Sequence, residues 1–147
     1  MRTSFVVAAV VALGALPAFA LGAHAKMSPV VSAKMTGSQE HPKGEEGARG
    51  VAVVHLDAAK GKVCWQFTKL VKVVKPTAAH IHKGPKGKSG PVFIPFGAKY
   101  KPKGCTTATK SQITAVESNP SAFYVNIHNK EYPNGTVRGQ LVAGMVK

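Results

Sequence analysis

From residue 26 onward, short apolar runs alternate with stretches rich in Gly, Pro and charge. No segment there keeps the apolar period near 3.6 that a helix needs, whereas several show the alternating or β-branched runs typical of strands. The one predicted helical turn covers residues 110–117, ahead of Asn119-Pro120. We expect an all-β fold, a single antiparallel β-sandwich or flattened Greek-key barrel of about seven to eight strands. The predicted strands are residues 30–36, 50–56, 62–70, 78–82, 92–96, 122–128 and 136–142.

The first 25 residues have the pattern of a signal peptide. Arg2 precedes an apolar run that Pro17 interrupts, and small residues follow. This order matches the charge, apolar core and Ala-x-Ala site of exported proteins, and the run is too short for a membrane span. Cleavage is expected after Ala25, with Ala20 as an alternative. The sequence therefore predicts an exported protein, periplasmic or secreted, with one domain over residues 26–147 and no membrane span.

The chain has two cysteines, Cys64 and Cys105. In an exported protein an even pair predicts a disulfide. On the chain-entropy model, closing a loop of this span stabilises the fold by roughly 4 kcal/mol. A disulfide also leaves no thiolate for metal ligation.

The chain is strongly basic, with 20 Lys+Arg against 6 Asp+Glu and a formal net charge of +14. Such a field attracts anions. Because the lysines have few aromatic residues between them and export removes most nucleic acid from reach, no nucleic-acid partner is expected. One interpretation is binding to anionic cell-surface polymers, and the other is a solvated surface that keeps the protein soluble. The candidate polyanion-binding residues are Lys83, Lys86, Lys88, Lys99, Lys101 and Lys103.

Histidines occur at strand spacing in two of the predicted strands. Residues i and i+2 share a face, so His80 and His82 point one way and Ile81 the other. The same alternation places Tyr124, Asn126 and His128 opposite the apolar side of their strand. Three imidazoles with no nearby carboxylate or thiolate suit copper or zinc better than calcium or magnesium. His55 is a candidate fourth ligand, and the alternative is that all of these are polar residues on a solvated face.

The hairpin that follows His128 has two possible registers. A two-residue Asn134-Gly135 turn sets His128 opposite Leu141, which mixes polar and apolar faces. A three-residue loop sets His128 opposite Gln140 and Lys130 opposite Arg138. We expect the second register, because it keeps the apolar side chains inward.

Several motifs in order give the chain a resemblance to a known family. They are Ala78-Ala79-His80-Ile81-His82-Lys83-Gly84, then Asn119-Pro120, then Tyr124-Val125-Asn126-Ile127-His128, then Tyr132-Pro133-Asn134-Gly135-Thr136-Val137-Arg138-Gly139-Gln140-Leu141. The chain resembles the CHRD domain, named after chordin, from about Ser32 to Leu141. The resemblance implies a module that also occurs singly in exported microbial proteins. Glu40-His41-Pro42-Lys43 departs from the family's usual acid, apolar residue and prolines.

A looser similarity is to copper/zinc superoxide dismutases. His80, His82, His128 and Arg138 follow the order of that family's His-x-His pair, later His and late Arg. This similarity implies outward-facing copper ligands and an Arg that guides anions. The long zinc-binding loop of that family has no visible counterpart here, so the similarity extends only to a copper site. The leading hypothesis is an exported domain that binds copper, or zinc as the alternative, with superoxide turnover left open. The rival hypothesis is a non-enzymatic module that binds anionic polymers or protein partners.

Overall fold

A computed structural model describes residues 29–147, and the expected signal peptide and its cleavage sites lie outside the described residues. Nine strands, one α-helix and two short 3₁₀ turns make up this part of the chain. The strands are β1 Val30–Thr36, β2 Arg49–Asp57, β3 Lys62–Val71, β4 Ala78–Lys83, β5 Val92–Pro95, β6 Lys103–Thr107, β7 Phe123–His128, β8 Val137–Gln140 and β9 Val142–Ala143, and the helix α1 is Lys110–Ser118.

The strands form one antiparallel sheet that curls into a nearly closed barrel. The strand order is β5-β4-β7-β8-β1-β2-β3-β6, and β9 pairs with β1. Phe96, just after the end strand β5, stacks on Trp65 of β3, the neighbour of the other end strand β6, with ring centroids 4.6 Å apart. The prediction of an all-β antiparallel fold is confirmed, and the barrel is the form that it takes.

The core of the barrel is formed by the side chains that point inward from each strand. Trp65 and Phe67 of β3 contact Phe96, and α1 adds Ile113 and Val116. Burying these side chains supplies the main driving force for folding. Fully buried members include Ala33, Ala52, Val54, Leu56, Val63, Ile81, Ile94, Val125, Ile127, Val137 and Leu141.

The predicted helical turn is confirmed as α1, and its start follows from a capping box. Thr109 accepts a hydrogen bond from the Gln112 backbone N–H, and the Gln112 side chain accepts one from the Thr109 backbone N–H. These bonds satisfy donors that a helix start leaves unpaired. In the described part of the chain, no helix is long and apolar enough to cross a membrane.

The predicted disulfide is present, and one of its two cysteines lies on a strand, β6, that the sequence pattern did not predict. Cys64 of β3 and Cys105 of β6 are direct partners in the register and are bonded to each other. β6 was missed because Lys103 and Gly104 interrupt its pattern. Gly104 lies against the Trp65 ring, which a Cβ would approach to 2.8 Å.

The expected β7–β8 register is wrong. Tyr124 pairs with Gln140 and Asn126 pairs with Arg138, so neither the two-residue nor the three-residue turn forms. A longer loop forms instead, because the Asn129 side chain accepts a hydrogen bond from the Tyr132 backbone N–H at 2.7 Å and so folds the chain back early. The shift from the expected register is an even number of residues, so the face that each side chain occupies is unchanged.

Candidate metal centre

Three histidines come together on the outer side of β4 and β7. His80 and His82 project from β4, and His128 projects from the neighbouring end of β7, where it pairs with Ala78. One nitrogen from each ring forms a group whose members all lie within 4.8 Å of one another. The strand alternation thus brings together the three candidate ligands expected from the sequence.

Backbone carbonyls fix the orientation of two of the rings. His82 Nδ1 lies 2.9 Å from the Gly90 carbonyl oxygen, and His128 Nδ1 lies 2.9 Å from the Pro133 carbonyl oxygen. Because a carbonyl only accepts, each Nδ1 must carry the proton, and each Nε2 holds the lone pair in the neutral ring. His82 Nε2 is buried and has no hydrogen-bond partner. These are the features of imidazoles prepared to ligate through Nε2.

The spacing of the other two nitrogens suits a shared ion. His80 Nδ1 lies 3.2 Å from His128 Nε2. Two nitrogens each about 2.0 Å from a metal at a tetrahedral angle lie about 3.3 Å apart. Without a metal, His80 donates its Nδ1 proton to His128. With a metal, His80 would keep its proton on Nε2 and free Nδ1.

The pKa values of the three histidines are all lowered. Burial is the largest cause, and it lowers the pKa of His80 to about 4, with repulsion from His128 and His82 adding to the effect. Burial also lowers the pKa of His82 and of His128, against the opposing effect of their carbonyl partners. The rings are therefore neutral at pH 7, which is the state that binds metal.

The face that carries the histidines is covered rather than solvated. Tyr124 is 3% exposed and Asn126 is 1% exposed, although both point away from the barrel interior. Two loops, residues 37–47 and residues 84–90, lie over this face. The Ser89 hydroxyl of one loop donates to the His41 carbonyl of the other at 2.8 Å. We call the covered outer side of β4, β7 and β8 the polar face.

Arg138 holds the 84–90 loop in place. Its Nη1 and Nη2 donate to the backbone carbonyls of Lys88 and Pro85, each at 2.9 Å. Arg138 is 1% exposed, whereas guiding anions from solvent requires an accessible guanidinium. This placement favours a structural role for Arg138 over the expected anion-guiding role.

A stack of three side chains links Arg138 to the metal centre. The Arg138 guanidinium carbon lies 3.4 Å from the centroid of the Tyr124 ring. Tyr124 also stacks on His82, with centroids 4.8 Å apart and planes within 8° of parallel. The Gly90 backbone N–H donates to the Tyr124 hydroxyl at 3.2 Å. Tyr124 therefore supports both the His82 ring and the residue whose carbonyl orients that ring.

A buried acid lies beside this stack. Glu40 is 2% exposed, and burial raises its pKa to about 7 against the attraction of Arg138 and a hydrogen bond with Asn126. The neighbouring Asn126 side chain also opposes the lowering of the His82 pKa. Glu40 Oε1 and Asn126 Oδ1 have no partner in the structure, as is also true of Thr136 Oγ1. The space between the polar face and its covering loops therefore holds buried polar groups that have no hydrogen-bond partner.

The other predicted site residues lie apart from the three histidines. His55 is exposed on β2, where it pairs with Cys64 of β3 and Val30 of β1, and it is not part of the metal-ligand group. His41 is exposed in the 37–47 loop. All six candidate polyanion-binding lysines are exposed, three of them around the 84–90 loop and three between β5 and the start of β6.

Sequence reasoning missed the groups that support the histidines. Tyr124 and Asn126 were placed on the correct face but given no role, and Glu40 was noted only as a departure from a family pattern. The carbonyls of Gly90 and Pro133 leave no trace in a sequence, because every residue has one. The outward alternation of Tyr124, Asn126 and His128 was the one available signal.

A family comparison agrees with the order of these motifs. The model of the CHRD domain matches residues 31–141, which contain the three histidines, Glu40 and both cysteines. No curated protein and no solved structure matches the chain. The similarity to copper/zinc superoxide dismutases stays a prediction. With a match over most of its length, the chain belongs to the CHRD domain family.

Proposed function

We propose that this CHRD domain binds a transition-metal ion through His80 Nδ1, His82 Nε2 and His128 Nε2. The observation that carries the proposal is the pair of Nδ1–carbonyl bonds that leave two Nε2 lone pairs directed away from the backbone. A buried imidazole nitrogen with no partner costs free energy that ligation would recover. Ligation to a metal would give His82 Nε2 the partner that it lacks among the described residues.

Copper is the proposed ion and zinc is the alternative. Imidazole nitrogens bind both, and for a given set of nitrogen ligands divalent copper is held more tightly than zinc. A bound copper would supply Lewis acidity and one-electron chemistry. The residues of this chain would hold the ion, exclude part of the solvent through Tyr124 and the 84–90 loop, and fix the ring orientations.

We also propose export for the whole chain. The N-terminal pattern of residues 1–25, the disulfide and membership of a family typical of extracellular modules support this. Mass spectrometry of the secreted or periplasmic protein tests it. A mature N-terminus at Lys26 or Leu21 is expected. An intact Met1 on the exported chain would contradict the cleavage, and retention of the chain inside the cell would contradict export.

The test of the proposed function is metal content and copper titration of the purified chain without an affinity tag. About one copper per chain is expected, with binding lost in His80→Ala and His128→Ala. His55→Ala is the matched control, because His55 is an exposed strand histidine outside the group. Uptake that is absent, or that persists unchanged in both site variants, would refute the proposal.

Superoxide turnover is the finer form of this hypothesis. Since Arg138 is buried, attraction of a small anion would depend on the exposed lysines, and it should weaken as salt is added. A dismutation assay of the copper-loaded chain, with His82→Ala as the blank, tests it. Equal activity in the two proteins would exclude the centre as its source.

A second function has separate support from the lysines. Among residues 29–147 the only ion pair joins Lys60 to Asp57, so the six candidate lysines are not ion-paired with acids of the chain. We propose that they attract anionic surface polymers. Retention on heparin should fall with salt. It should also fall when Lys83, Lys86 and Lys88 are changed to Gln, but not when Lys60, Lys62 and Lys110 are, and equal losses would indicate net charge alone.

A further inference from the structure

We infer that the three-histidine centre selects monovalent copper, Cu(I), over the divalent ions Cu(II) and Zn(II). The inference rests on the proposed metal-binding function and specifies which charge the bound ion carries. It follows from the ligands, their supporting groups and the nearest buried cation.

The ligands carry no charge to offset that of the ion. Within the described part of the chain, the group that can hold a metal consists of three imidazoles, with no carboxylate among them. Both cysteines are bonded to each other and cannot supply a thiolate. The cost of holding an ion away from water rises with the square of its charge, so neutral ligands favour the lower charge.

The groups behind the ligands are also neutral. His82 and His128 donate to the carbonyls of Gly90 and Pro133. In many zinc sites a carboxylate takes this place and makes the imidazole a stronger donor to a divalent ion. Here the carbonyls orient the rings without adding negative charge.

A buried cation lies one ring away from the centre. Arg138 stacks on Tyr124, and Tyr124 stacks on His82. No carboxylate within 29–147 makes an ion pair with Arg138, although Glu40 lies near enough for attraction. Near a protein surface, adding a second positive charge about 10 Å from a guanidinium weakens binding on the order of tenfold.

The number of ligands points the same way. Zn(II) held by three histidines takes a water as its fourth ligand, and Cu(II) prefers a tetragonal set of nitrogen and oxygen ligands. Cu(I) has a filled d shell and is satisfied by two or three donors. The expected fourth ligand, His55, lies on β2 and does not join the group. Three nitrogens therefore complete the coordination of Cu(I), whereas a divalent ion would need at least one further ligand, such as a water, at this half-buried centre.

The experiment is chelator competition with the purified full chain, for Cu(I) under anaerobic reducing conditions and for Cu(II) and Zn(II) in parallel. Cu(I) should bind at least about tenfold more tightly than either divalent ion, given the charge difference alone. Divalent binding that is as tight or tighter and is lost in His82→Ala would overturn the inference and leave the proposed function intact. Binding of none of the three ions would overturn both.

A second variant tests the electrostatic argument. Asn126→Asp places a carboxylate beside His82 with almost no change in shape, so the preference for Cu(I) should narrow on the order of tenfold. Asn119→Asp makes the same change at an exposed position that precedes the start of β7. It should leave the preference for Cu(I) unchanged. An unchanged preference in folded Asn126→Asp would contradict the argument. If that variant does not fold, the wild-type ratio decides alone.

Discussion

β4 and β7 have two buried faces, and the two are built on opposite principles. On the inner face, Ile81, Val125 and Ile127 pack without polar atoms. On the polar face, Tyr124 and Asn126 are as deeply buried, under loops that side-chain hydrogen bonds hold down. Apolar burial is non-directional and tolerates substitution by similar volume, whereas a polar interior depends on each partner. Fold and site are therefore separable by mutation, although they share strands.

The largest expected difference between the two faces is tested by substituting two neighbouring residues of β4. Ile81→Ala should cost about 4 kcal/mol of unfolding free energy, because it leaves a cavity in the barrel. His82→Ala should cost far less stability and should abolish metal binding. Denaturant unfolding and copper titration of both variants measure the two effects. Equal stability losses, or copper binding retained in His82→Ala, would show that the faces do not divide in this way.

The next effect concerns the cation that holds the 84–90 loop. Arg138→Met removes the hydrogen bonds to the Lys88 and Pro85 carbonyls and should cost about 3 kcal/mol, since buried acceptors are left unpaired. Arg138→Lys keeps the charge but loses the fork geometry, so its loss should be intermediate. Urea unfolding measures both. A Lys variant as stable as wild type would mean that charge alone matters.

A third effect depends on pH. Burial raises the pKa of Glu40 to about 7 in the folded chain, above its ordinary value of 4.5, so ionisation of Glu40 opposes folding as the pH rises through this window. The stability of wild type relative to Glu40→Gln should fall by about 3 kcal/mol between pH 4 and pH 8. The lowered pKa values of the histidines change stability with pH in the opposite direction, but this effect cancels because both proteins carry the same histidines. A constant difference across this range would contradict the raised pKa of Glu40.

The smallest effect tests one hydroxyl on the polar face. Tyr124→Phe keeps the stack on His82 but removes the bond from the Gly90 N–H, at a cost of about 1 kcal/mol. Tyr100→Phe is the matched control, because the Tyr100 hydroxyl is buried and has no partner. Its removal should be neutral or stabilising. Thermal unfolding of the two variants compares them, and equal losses would refute a role for the Gly90 contact.

The strands and the histidine triplet could be predicted because they depend on local alternation. A period of two along residues 78–82 and 122–128 is sufficient to put His80, His82 and His128 on one face. β6 could not be predicted, because its place is fixed by Cys64 and by the Trp65 ring rather than by its own pattern. Its cysteine was the one clue.

The cover over the polar face depends on contacts that are distant in sequence. Arg138 binds carbonyls some fifty residues away, and such acceptors are the same in every residue. The β7–β8 register failed for a related reason. The Asn129 side chain replaces a backbone partner and closes the loop earlier than the Asn134-Gly135 signal suggests.

Burial from both sides has a consequence for the motions of β7. Five of its six residues are buried, and its neighbours β4 and β8 flank it along its length. Amide hydrogens in such a strand exchange with solvent only when the whole molecule opens, whereas those of exposed edges exchange through local fraying. His128 is the last residue of this strand. One of the three ligands is thus anchored to a strand that we expect to open rarely, whereas His80 and His82 lie on β4, next to the edge strand β5.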